Sequence, residues 1–367
     1  MFENIYQGKR VIVTGHTGFK GGWLCLWLKL MGANVNGLSN EVYQSPSLFE
    51  EAGIQGQINS YLADIRDFAK VQEIFNSIKP HFVFHLAAQA IVKTAYENPL
   101  DTFATNVIGT ANILEALRLL DQPCVAVMIT SDKCYDNVEW LWGYKETDHL
   151  GGKDPYSASK GAAELIIKTY YHSYFKENDK IKISSVRAGN VIGGGDWAGS
   201  RIVPDCFRAW ADNRKVVIRS PNATRPWQHV LEPLSGYLQI GQFLAISEKK
   251  SLNGEAYNFG PPADQNHTVL DLIKELANVW DVNGSEIYQL EPSSFQESGL
   301  LKLNCDKALF DMNWKPTLNF QETAAFTCEW YKEFYQNKKD SMFSFTNMQI
   351  ENYINLACKR NVSWTKK

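Results

Sequence analysis

The chain has 367 residues, of which 44% are hydrophobic and 21% charged, and its formal net charge is −3. A chain of this length can bury a large core and is long enough for more than one folding unit. The small net charge gives no bulk attraction to nucleic acids or anionic membranes, and no apolar run approaches the length of a membrane-spanning helix. The opening residues Met1–Asn4 do not begin a signal peptide. We therefore expect a soluble, cytoplasmic protein that binds neither nucleic acid nor membrane.

The cysteine and histidine patterns argue against a disulfide framework and against a metal site. The seven cysteines are scattered, odd in number and contain no C-x-x-C, as in reduced intracellular proteins. His81 and His85 flank an apolar strand pattern, Phe82–Phe84, and the sequence offers no evident third ligand. The sequence therefore predicts free thiols and no metal ion.

The first 130 residues alternate strand and helix patterns, which is typical of a parallel sheet with helices on both faces. Helical spacing of apolar residues predicts helices around Trp23–Met31, Phe68–Ile78 and Val107–Leu119. Short apolar runs predict strands at Lys9–Thr14, Asn34–Leu38, Ser60–Ala63, Phe82–Leu86 and Val125–Thr130. This order predicts an α/β fold with a Rossmann-type doubly wound parallel sheet.

The second half of the chain is less regular. A glycine-rich segment, Gly189–Gly199, precedes a helix pattern that starts at Arg201 and a short strand pattern at Val216–Arg219. We expect this part to form a smaller, mixed α/β lobe. The predicted division is residues 1–188 for the first domain, 189–335 for the smaller lobe, with some segments returning to the first domain, and 336–367 for a C-terminal tail.

A glycine pattern between the first strand and the first helix indicates a dinucleotide site. Glycines spaced G-x-x-G-x-x-G let the backbone turn tightly and approach a pyrophosphate at the N-terminus of the following helix. The alternative is an ordinary glycine-rich turn, which the strand before and the helix after make less favoured. The predicted cofactor residues here are Gly15, Thr17, Gly18, Phe19, Lys20 and Gly21.

The end of the second strand favours NAD over NADP. A 2′-phosphate would call for an arginine or lysine just beyond this strand, and Gly37–Glu41 contains neither. Glu41 is one candidate for the ribose contact, although Ser39 lies nearer the strand end. Asp64 and Ile65, just beyond the third strand, are placed to flank an adenine. The other interpretation of Asp64, as the N-cap of a following helix, can hold at the same time.

Tyr156 and Lys160 form a candidate acid/base pair. They stand four apart in a predicted helix whose start is marked by Asp154-Pro155, so they share one face. We expect the nearby ammonium to lower the pKa of the phenol toward neutrality, so that the tyrosinate can take a hydroxyl proton.

A second candidate group follows the fifth strand. Ser131, Asp132 and Lys133 offer a hydrogen-bond donor, an acid and a base in a row. They fall at the carboxyl edge of the predicted sheet, where ligands of open α/β sheets bind. The alternative is an exposed salt bridge between Asp132 and Lys133, which would contribute little.

These motifs resemble those of the extended short-chain dehydrogenase/reductase superfamily. Within it, four segments are similar to the CDP-glucose branch of the sugar-nucleotide 4,6-dehydratases, namely His16–Gly21, Thr130–Tyr135, Arg187–Trp197 and Arg225–Pro233. The likeness spans roughly residues 8–335. Most sugar-nucleotide 4,6-dehydratases carry Thr-Asp-Glu after the fifth strand, whereas this chain has Ser-Asp-Lys, as the CDP-glucose branch does.

The resemblance implies a reaction on CDP-glucose with NAD as a recycled cofactor: oxidation at C4, loss of water across C5 and C6, and return of hydride to C6. Tyr156 would take the O4 proton and Ser131 would hold that oxygen. Lys160 would anchor the nicotinamide ribose and tune Tyr156. Asp132 would protonate the leaving C6 hydroxyl, and Lys133 would take the C5 proton.

The resemblance also implies how the substrate is held and how the chain assembles. Asn190 and Arg225 would contact the substrate's pyrophosphate, with Arg201 and Arg219 near the base or phosphates, because guanidinium groups suit such oxygens. Structural salt bridges are the alternative for the latter two. A homodimer or dimer of dimers is expected from the superfamily, as is a role in making dideoxysugars of lipopolysaccharide O-antigen. Gln296 stands where the family usually has His, and no contact is assigned there.

Two other functions stay open on the sequence. A nucleotide-sugar 4-epimerase or C4 reductase would use Tyr156 and Lys160, but it has no use for an acid and a base at positions 132 and 133. A non-catalytic NAD-binding scaffold is the other alternative, although such relatives usually lose the tyrosine or the lysine.

Overall fold

The structure, a computed structural model, describes residues 1–246, 252–282, 287–291, 300–337 and 341–366. Within these ranges the strands are β1 Arg10–Thr14, β2 Asn34–Ser39, β3 Asn59–Leu62, β4 Phe82–His85, β5 Cys124–Ile129, β6 Ile181–Ala188, β7 Val191–Ile192, β8 Val216–Ile218, β9 Thr224–Arg225, β10 Gln228–His229, β11 Ala256–Phe259, β12 His267–Thr268 and β13 Tyr288–Leu290. The α-helices are α1 Phe19–Leu30, α2 Leu48–Glu51, α3 Phe68–Ile78, α4 Val92–Glu97, α5 Pro99–Phe103, α6 Gly109–Arg118, α7 Pro155–Tyr170, α8 Ile202–Ala211, α9 Leu231–Ile246, α10 Val269–Trp280, α11 Asp306–Met312, α12 Phe320–Lys332 and α13 Phe343–Lys359.

The described residues form a seven-stranded sheet in the order β11-β6-β5-β4-β1-β2-β3, and every pairing in it is parallel. The chain runs outward from β1 to β3 and then crosses back to β4, so the strand order reverses between β1 and β4. Ligands of open α/β sheets bind outside the carboxyl ends of the strands at such a reversal. The predicted Rossmann-type fold is confirmed.

Two apolar cores cover the two faces of this sheet. On one face, α3 buries Val71, Ile74, Phe75 and Ile78. These are four of the five residues that its helical spacing predicts, and the fifth, Phe68, is partly buried. On the other face, α1 is buried along Gly21–Leu28, as expected of a helix that is apolar on all sides. This buried helix carries the glycine pattern at its start, so the core holds the predicted cofactor loop in place.

The second half of the chain contributes to the main sheet and also covers it. Strand β11, which falls in the predicted range 189–335, pairs with β6 and extends the main sheet by one strand. The predicted C-terminal tail contains a helix, α13, that the sequence analysis did not assign. Its Tyr353 packs edge-on to Trp27 of α1, with ring centroids 5.7 Å apart. The last turn buries Trp364 as well.

The N-cap of α3 differs from the residue that the sequence suggests. Asp67 caps α3 by accepting a hydrogen bond from the Lys70 amide at 3.1 Å, so the interpretation of Asp64 as that cap is wrong. Gln296 lies outside the described residues. No helix in the described part of the chain is long and apolar enough to cross a membrane.

Candidate active site

A cleft with a volume of about 1250 Å³ opens at the carboxyl edge of the sheet. The parallel strands β1, β2, β4 and β5 all end there, so loops that are distant in sequence meet along its walls. Every site residue predicted from the sequence lines it: Gly15, Thr17, Gly18, Phe19, Lys20, Gly21, Ser39, Asp64, Ile65, Ser131, Asp132, Lys133, Tyr156, Lys160, Asn190, Arg201, Arg219 and Arg225.

The glycine loop has a backbone that side chains would block. Gly15 has a φ of +74°, and a Cβ there would lie 2.8 Å from the Ala87 amide nitrogen. A Cβ on Gly21 would lie 2.1 Å from the Gly15 carbonyl oxygen. Gly18 is the N-cap of α1 and offers no side-chain cap, so the first amides of the helix are left to an anion. The loop therefore fits the pyrophosphate of a dinucleotide.

Residues 37–41, at and just beyond the end of β2, include no arginine or lysine. Ser39 ends β2 and is buried, and its Oγ accepts from the Thr17 amide at 3.4 Å. The Thr17 hydroxyl donates to the Glu41 carbonyl oxygen at 2.6 Å. Asp64 pairs with Arg66 at 2.5 Å, and Arg66 also pairs with Asp101. The Arg66 guanidinium, which lines this part of the cleft, is thus paired with two carboxylates.

Tyr156 and Lys160 lie on the first two turns of α7. Asp154 caps this helix by accepting from the Ser157 amide at 3.0 Å. Both side chains are buried, and the Lys160 Nζ atom lies 6.0 Å from the centroid of the Tyr156 ring. The helix start and the shared face are therefore those that the sequence predicts.

The protonation of this pair differs from the expectation. Burial raises the pKa of Tyr156 to about 12, and hydrogen bonding with Ser131 acts in the opposite direction. Burial lowers the pKa of Lys160 to about 8. The expected lowering of the phenol pKa is wrong for the protein alone, because desolvation of the phenolate outweighs the effect of the groups that surround it.

The segment after β5 forms a short 3₁₀ turn that begins at Ser131. The Ser131 Oγ accepts from the Lys133 amide at 3.2 Å and donates to Asp132 Oδ1 at 2.9 Å. Asp132 is only 4% exposed, which excludes the exposed Asp132–Lys133 salt bridge. Its Oδ2 atom is buried without a hydrogen-bond partner among the described residues. Burial raises the pKa of this carboxyl, so the group is suited to give up a proton at higher pH than an exposed aspartate.

The opposite wall of the cleft carries the predicted arginines. Arg201 pairs with Asp196 at 2.7 Å, so the structural salt bridge considered for Arg201 exists, although the guanidinium still lines the cleft. Arg219 is exposed at the cleft. The charge of Arg225 acts to lower the pKa of Asp132, against burial. These cations favour an anionic ligand such as a nucleoside diphosphate.

Sequence reasoning assigned no role to Asp196, Asp205 and Arg208, which also line this wall. Asp196, which fixes Arg201, stands in the quoted segment Arg187–Trp197 but was assigned no role. Arg208 lines the cleft one helical turn from its partner Asp205. The i,i+3 spacing of Asp205 and Arg208 in the sequence could have indicated that the two side chains share one face of α8. The sequence assigned Lys20 to the cofactor. Burial lowers its pKa to about 8, the charge of Arg201 acts in the same direction, and the charge of Asp132 opposes the shift.

Comparison with known proteins agrees with this geometry. Residues 12–327 match the family described as GDP-mannose 4,6 dehydratase. The CDP-glucose 4,6-dehydratase of Salmonella typhimurium is 43% identical over 361 residues, which are 97% of this chain and 99% of that protein. UDP-glucose 4-epimerase from Thermotoga maritima superposes with a TM-score of 0.77 at 21% identity, covering 89% of this chain and 100% of that one. The dTDP-glucose 4,6-dehydratase of Bacillus anthracis superposes with a TM-score of 0.74 at 19% identity, covering 89% and 97% of the two chains.

These likenesses carry different weight. The two solved structures have low identity, and they establish the fold alone. The family match covers residues 12–327, and the 43% identity extends over 97% of the chain. The chain therefore belongs to the sugar-nucleotide 4,6-dehydratases of the extended short-chain dehydrogenase/reductase superfamily.

Proposed function

We propose that this protein is an NAD-dependent hydro-lyase that converts CDP-glucose to CDP-4-keto-6-deoxyglucose and water. The observation that carries the proposal is the buried Asp132, hydrogen-bonded to Ser131 in the same cleft as Tyr156 and Lys160. An epimerase or a C4 reductase needs the tyrosine and the lysine but has no step for a buried carboxylic acid. The 43% identity to a CDP-glucose 4,6-dehydratase supports the choice of substrate.

The cofactor site fits NAD. Gly15, Gly18 and Gly21 would hold the pyrophosphate, Ser39 would face the adenosine ribose, and Asp64 and Ile65 would flank the adenine. No arginine or lysine occurs within residues 37–41 to bind a 2′-phosphate. When bound, NAD supplies a positively charged ring that accepts hydride from C4 and returns it to C6 of the sugar.

The first step is oxidation at C4 of the glucose. Ser131 would hold O4 by a hydrogen bond while Tyr156 takes its proton. Lys160, a cation at neutral pH with a pKa of about 8, would stabilise the tyrosinate and hold the nicotinamide ribose. Burial raises the pKa of Tyr156 to about 12. The positive charges of Lys160 and of the bound nicotinamide ring would therefore have to stabilise the phenolate for Tyr156 to act as a base.

The second step is elimination of water across C5 and C6. A ketone at C4 makes the C5 hydrogen acidic, and Lys133, as the neutral amine, would take that proton and become an ammonium. Asp132 would protonate the C6 hydroxyl as the bond from C6 to oxygen breaks, so that water and not hydroxide leaves. Lys133 would then return a proton to C5 as hydride adds to C6. The sum is loss of one water, with no net oxidation.

The arginine wall would bind the nucleoside diphosphate. Asn190 and Arg225 would contact the pyrophosphate, and Arg201 and Arg219 would lie near the phosphates or the base. The Asp196 partner of Arg201 restricts the guanidinium, so less conformational freedom is lost on binding. We also propose that the protein acts in the cytoplasm and supplies the precursor of dideoxysugars of lipopolysaccharide O-antigen.

We further propose a homodimer, singly or as a dimer of dimers. Apolar side chains project to solvent from α5, α7 and the helical turn before α6, including Leu100 (83% exposed), Ile108 (54%) and Leu165 (56%). Helices on one sheet face with this much exposed apolar surface suit an isologous interface. Light scattering at micromolar concentration tests it, and a monomer would contradict it.

One assay tests the proposed function. The purified protein, supplied with NAD, is incubated with CDP-glucose, UDP-glucose, dTDP-glucose and GDP-mannose in parallel. We expect a product that absorbs near-ultraviolet light in alkali, as 4-keto-6-deoxy sugars do, from CDP-glucose at the highest rate. An epimerised hexose without this absorbance would favour the epimerase, and no conversion of any substrate would favour the scaffold.

A further inference from the structure

A buried ion pair lies behind the catalytic residues. Arg187 Nε and Nη2 donate to the two carboxylate oxygens of Glu164 at 2.9 and 2.8 Å, and the two side chains are 3% and 4% exposed. A buried ion pair adds little net stability compared with apolar residues of similar volume, because both charges lose their hydration. Its other hydrogen bonds indicate what it contributes instead.

Glu164 joins the catalytic helix to the end of β5. It lies four residues after Lys160 on α7, so the two share a face. Its carboxylate accepts hydrogen bonds from the hydroxyl of Thr130, the residue directly before Ser131, and from Ser185 Oγ at 2.8 Å. Burial lowers the pKa of Lys160, and the Glu164 charge opposes that shift. Glu164 therefore contacts Thr130, at the start of the turn that carries Ser131, Asp132 and Lys133, and its charge acts on Lys160.

Arg187 contacts Tyr135, the residue that follows segment 131–134. Its Nη1 donates to the Tyr135 hydroxyl at 2.7 Å, and its guanidinium carbon lies 4.9 Å from the centroid of the Tyr135 ring. The Tyr135 hydroxyl donates in turn to Asn258 Oδ1 at 2.8 Å, on β11. Thr130 and Tyr135 flank residues 131–134, so one ion pair anchors both ends of the segment that carries Ser131, Asp132 and Lys133.

We propose that the Glu164–Arg187 ion pair is a positioning element that fixes segment 131–134 relative to the tyrosine and the lysine of α7. The inference rests on the proposed dehydratase function, in which one bound sugar presents C4 to α7 and C5 and C6 to that segment. Glu164 and Arg187 are not among the described residues that line the cleft. Their effect on the reaction would therefore pass through their contacts with Thr130 and Tyr135. A misplacement of about 1 Å at a reacting group costs roughly 10²-fold in rate.

The test uses Glu164→Gln, Arg187→Lys and the double variant Glu164→Leu/Arg187→Met. The double variant is expected to fold, because apolar replacement of a buried pair is often neutral or stabilising. For each variant we expect kcat with CDP-glucose to fall by roughly 10²-fold while KM changes less than about threefold. Hydrogen exchange of the peptide 130–136 should rise, whereas exchange within α13 should stay at the parent level.

The control is Arg360→Lys, at an ion pair whose two side chains are partly exposed (37% and 29%). Arg360 forks onto Glu322 in the same two-bond manner, at 2.9 and 2.6 Å, outside the cleft. This variant should keep the parent kcat and the parent exchange in 130–136. Variants of the buried pair that fold and keep kcat within about threefold, with parent exchange in 130–136, would overturn the positioning role. If the parent converts no nucleotide sugar, the proposed function fails, and the exchange measurement still decides whether the pair anchors the segment.

Discussion

The Ser131 hydroxyl donates to Asp132 Oδ1 at 2.9 Å, and the second carboxylate oxygen of Asp132 is buried without a partner among the described residues. One serine thus orients the acid and also lies beside Tyr156, whose pKa it acts to lower. The donor needed for oxidation at C4 and the acid needed for elimination at C6 are neighbours in sequence and in space. The hydrogen bond from Ser131 to Asp132 therefore joins a residue proposed for the oxidation step to a residue proposed for the elimination step.

Asp132→Asn should block elimination and spare oxidation. The amide cannot donate a proton to the leaving hydroxyl, so we expect turnover to fall by about 10²-fold or more. The active form of the parent carries a protonated Asp132, and burial raises this pKa. The parent rate should therefore fall as pH rises through the pKa of Asp132, and the variant should lack that limb of the pH profile. Stopped-flow absorbance of the reduced cofactor, recorded across pH, checks both points, and full turnover by the variant would assign the acid elsewhere.

Tyr156→Phe should bind substrate but lose the first step. The phenyl ring fills the same buried site without a hydroxyl to take the O4 proton, so kcat should fall by roughly 10² to 10⁴-fold. The affinity for the nucleotide sugar, measured by calorimetry, should stay within about threefold of the parent because the arginine wall is unchanged. Near-parent kcat would remove Tyr156 from the proton transfer.

Lys133→Met should trap the reaction after oxidation. Without the base, reduced cofactor should accumulate beside a bound 4-keto sugar that keeps its C6 hydroxyl, and exchange of the C5 hydrogen with deuterated solvent should stop. Mass spectrometry of the quenched sugar measures this exchange. The matched control is Lys153→Met, an exposed lysine just before the catalytic helix, which should behave as the parent. Exchange at the parent rate in Lys133→Met would leave Lys133 with an electrostatic role only.

Glu232 should make stability depend on pH. Its buried carboxylate accepts from the Leu318 amide at 2.6 Å and from the Tyr353 hydroxyl at 2.8 Å, and burial raises its pKa to about 7. The folded state thus holds this proton more tightly than the unfolded chain, whose glutamates titrate near 4.5. The contribution of Glu232 to the free energy of unfolding is therefore fully present below pH 4.5 and is lost as the pH rises through about 7. The loss amounts to roughly 3 kcal/mol.

The variant Glu232→Gln removes this titration. We expect its free energy of unfolding, measured by urea titration, to decline less than that of the parent between pH 5 and pH 8, by roughly 3 kcal/mol. Glu351→Gln, at an exposed glutamate on α13, is the control and should follow the parent curve. Parallel curves for parent and Glu232→Gln would show that Glu232 titrates outside this range.

The sequence predicted those features that depend on neighbours along the chain. The i,i+4 spacing placed Tyr156 and Lys160 on one face, and the run after β5 placed Ser131–Lys133 at the sheet edge. Strand β11 could not be assigned, because Ala256–Phe259 is a short run whose partner β6 lies about 70 residues earlier. The direction of the Tyr156 pKa shift was wrong because desolvation depends on the folded surroundings. The Glu164–Arg187 pair was missed because it joins α7 to β6.

The most direct test of the proposed mechanism follows one hydrogen atom through a turnover. CDP-glucose carrying deuterium at C4 is converted by the purified protein with NAD, and the product is examined by nuclear magnetic resonance and mass spectrometry. We expect the deuterium to appear in the C6 methyl group of the same product molecule, and we expect no reduced cofactor to accumulate during turnover. Stoichiometric release of reduced cofactor, with deuterium absent from the methyl group, would contradict it and indicate a simple dehydrogenase.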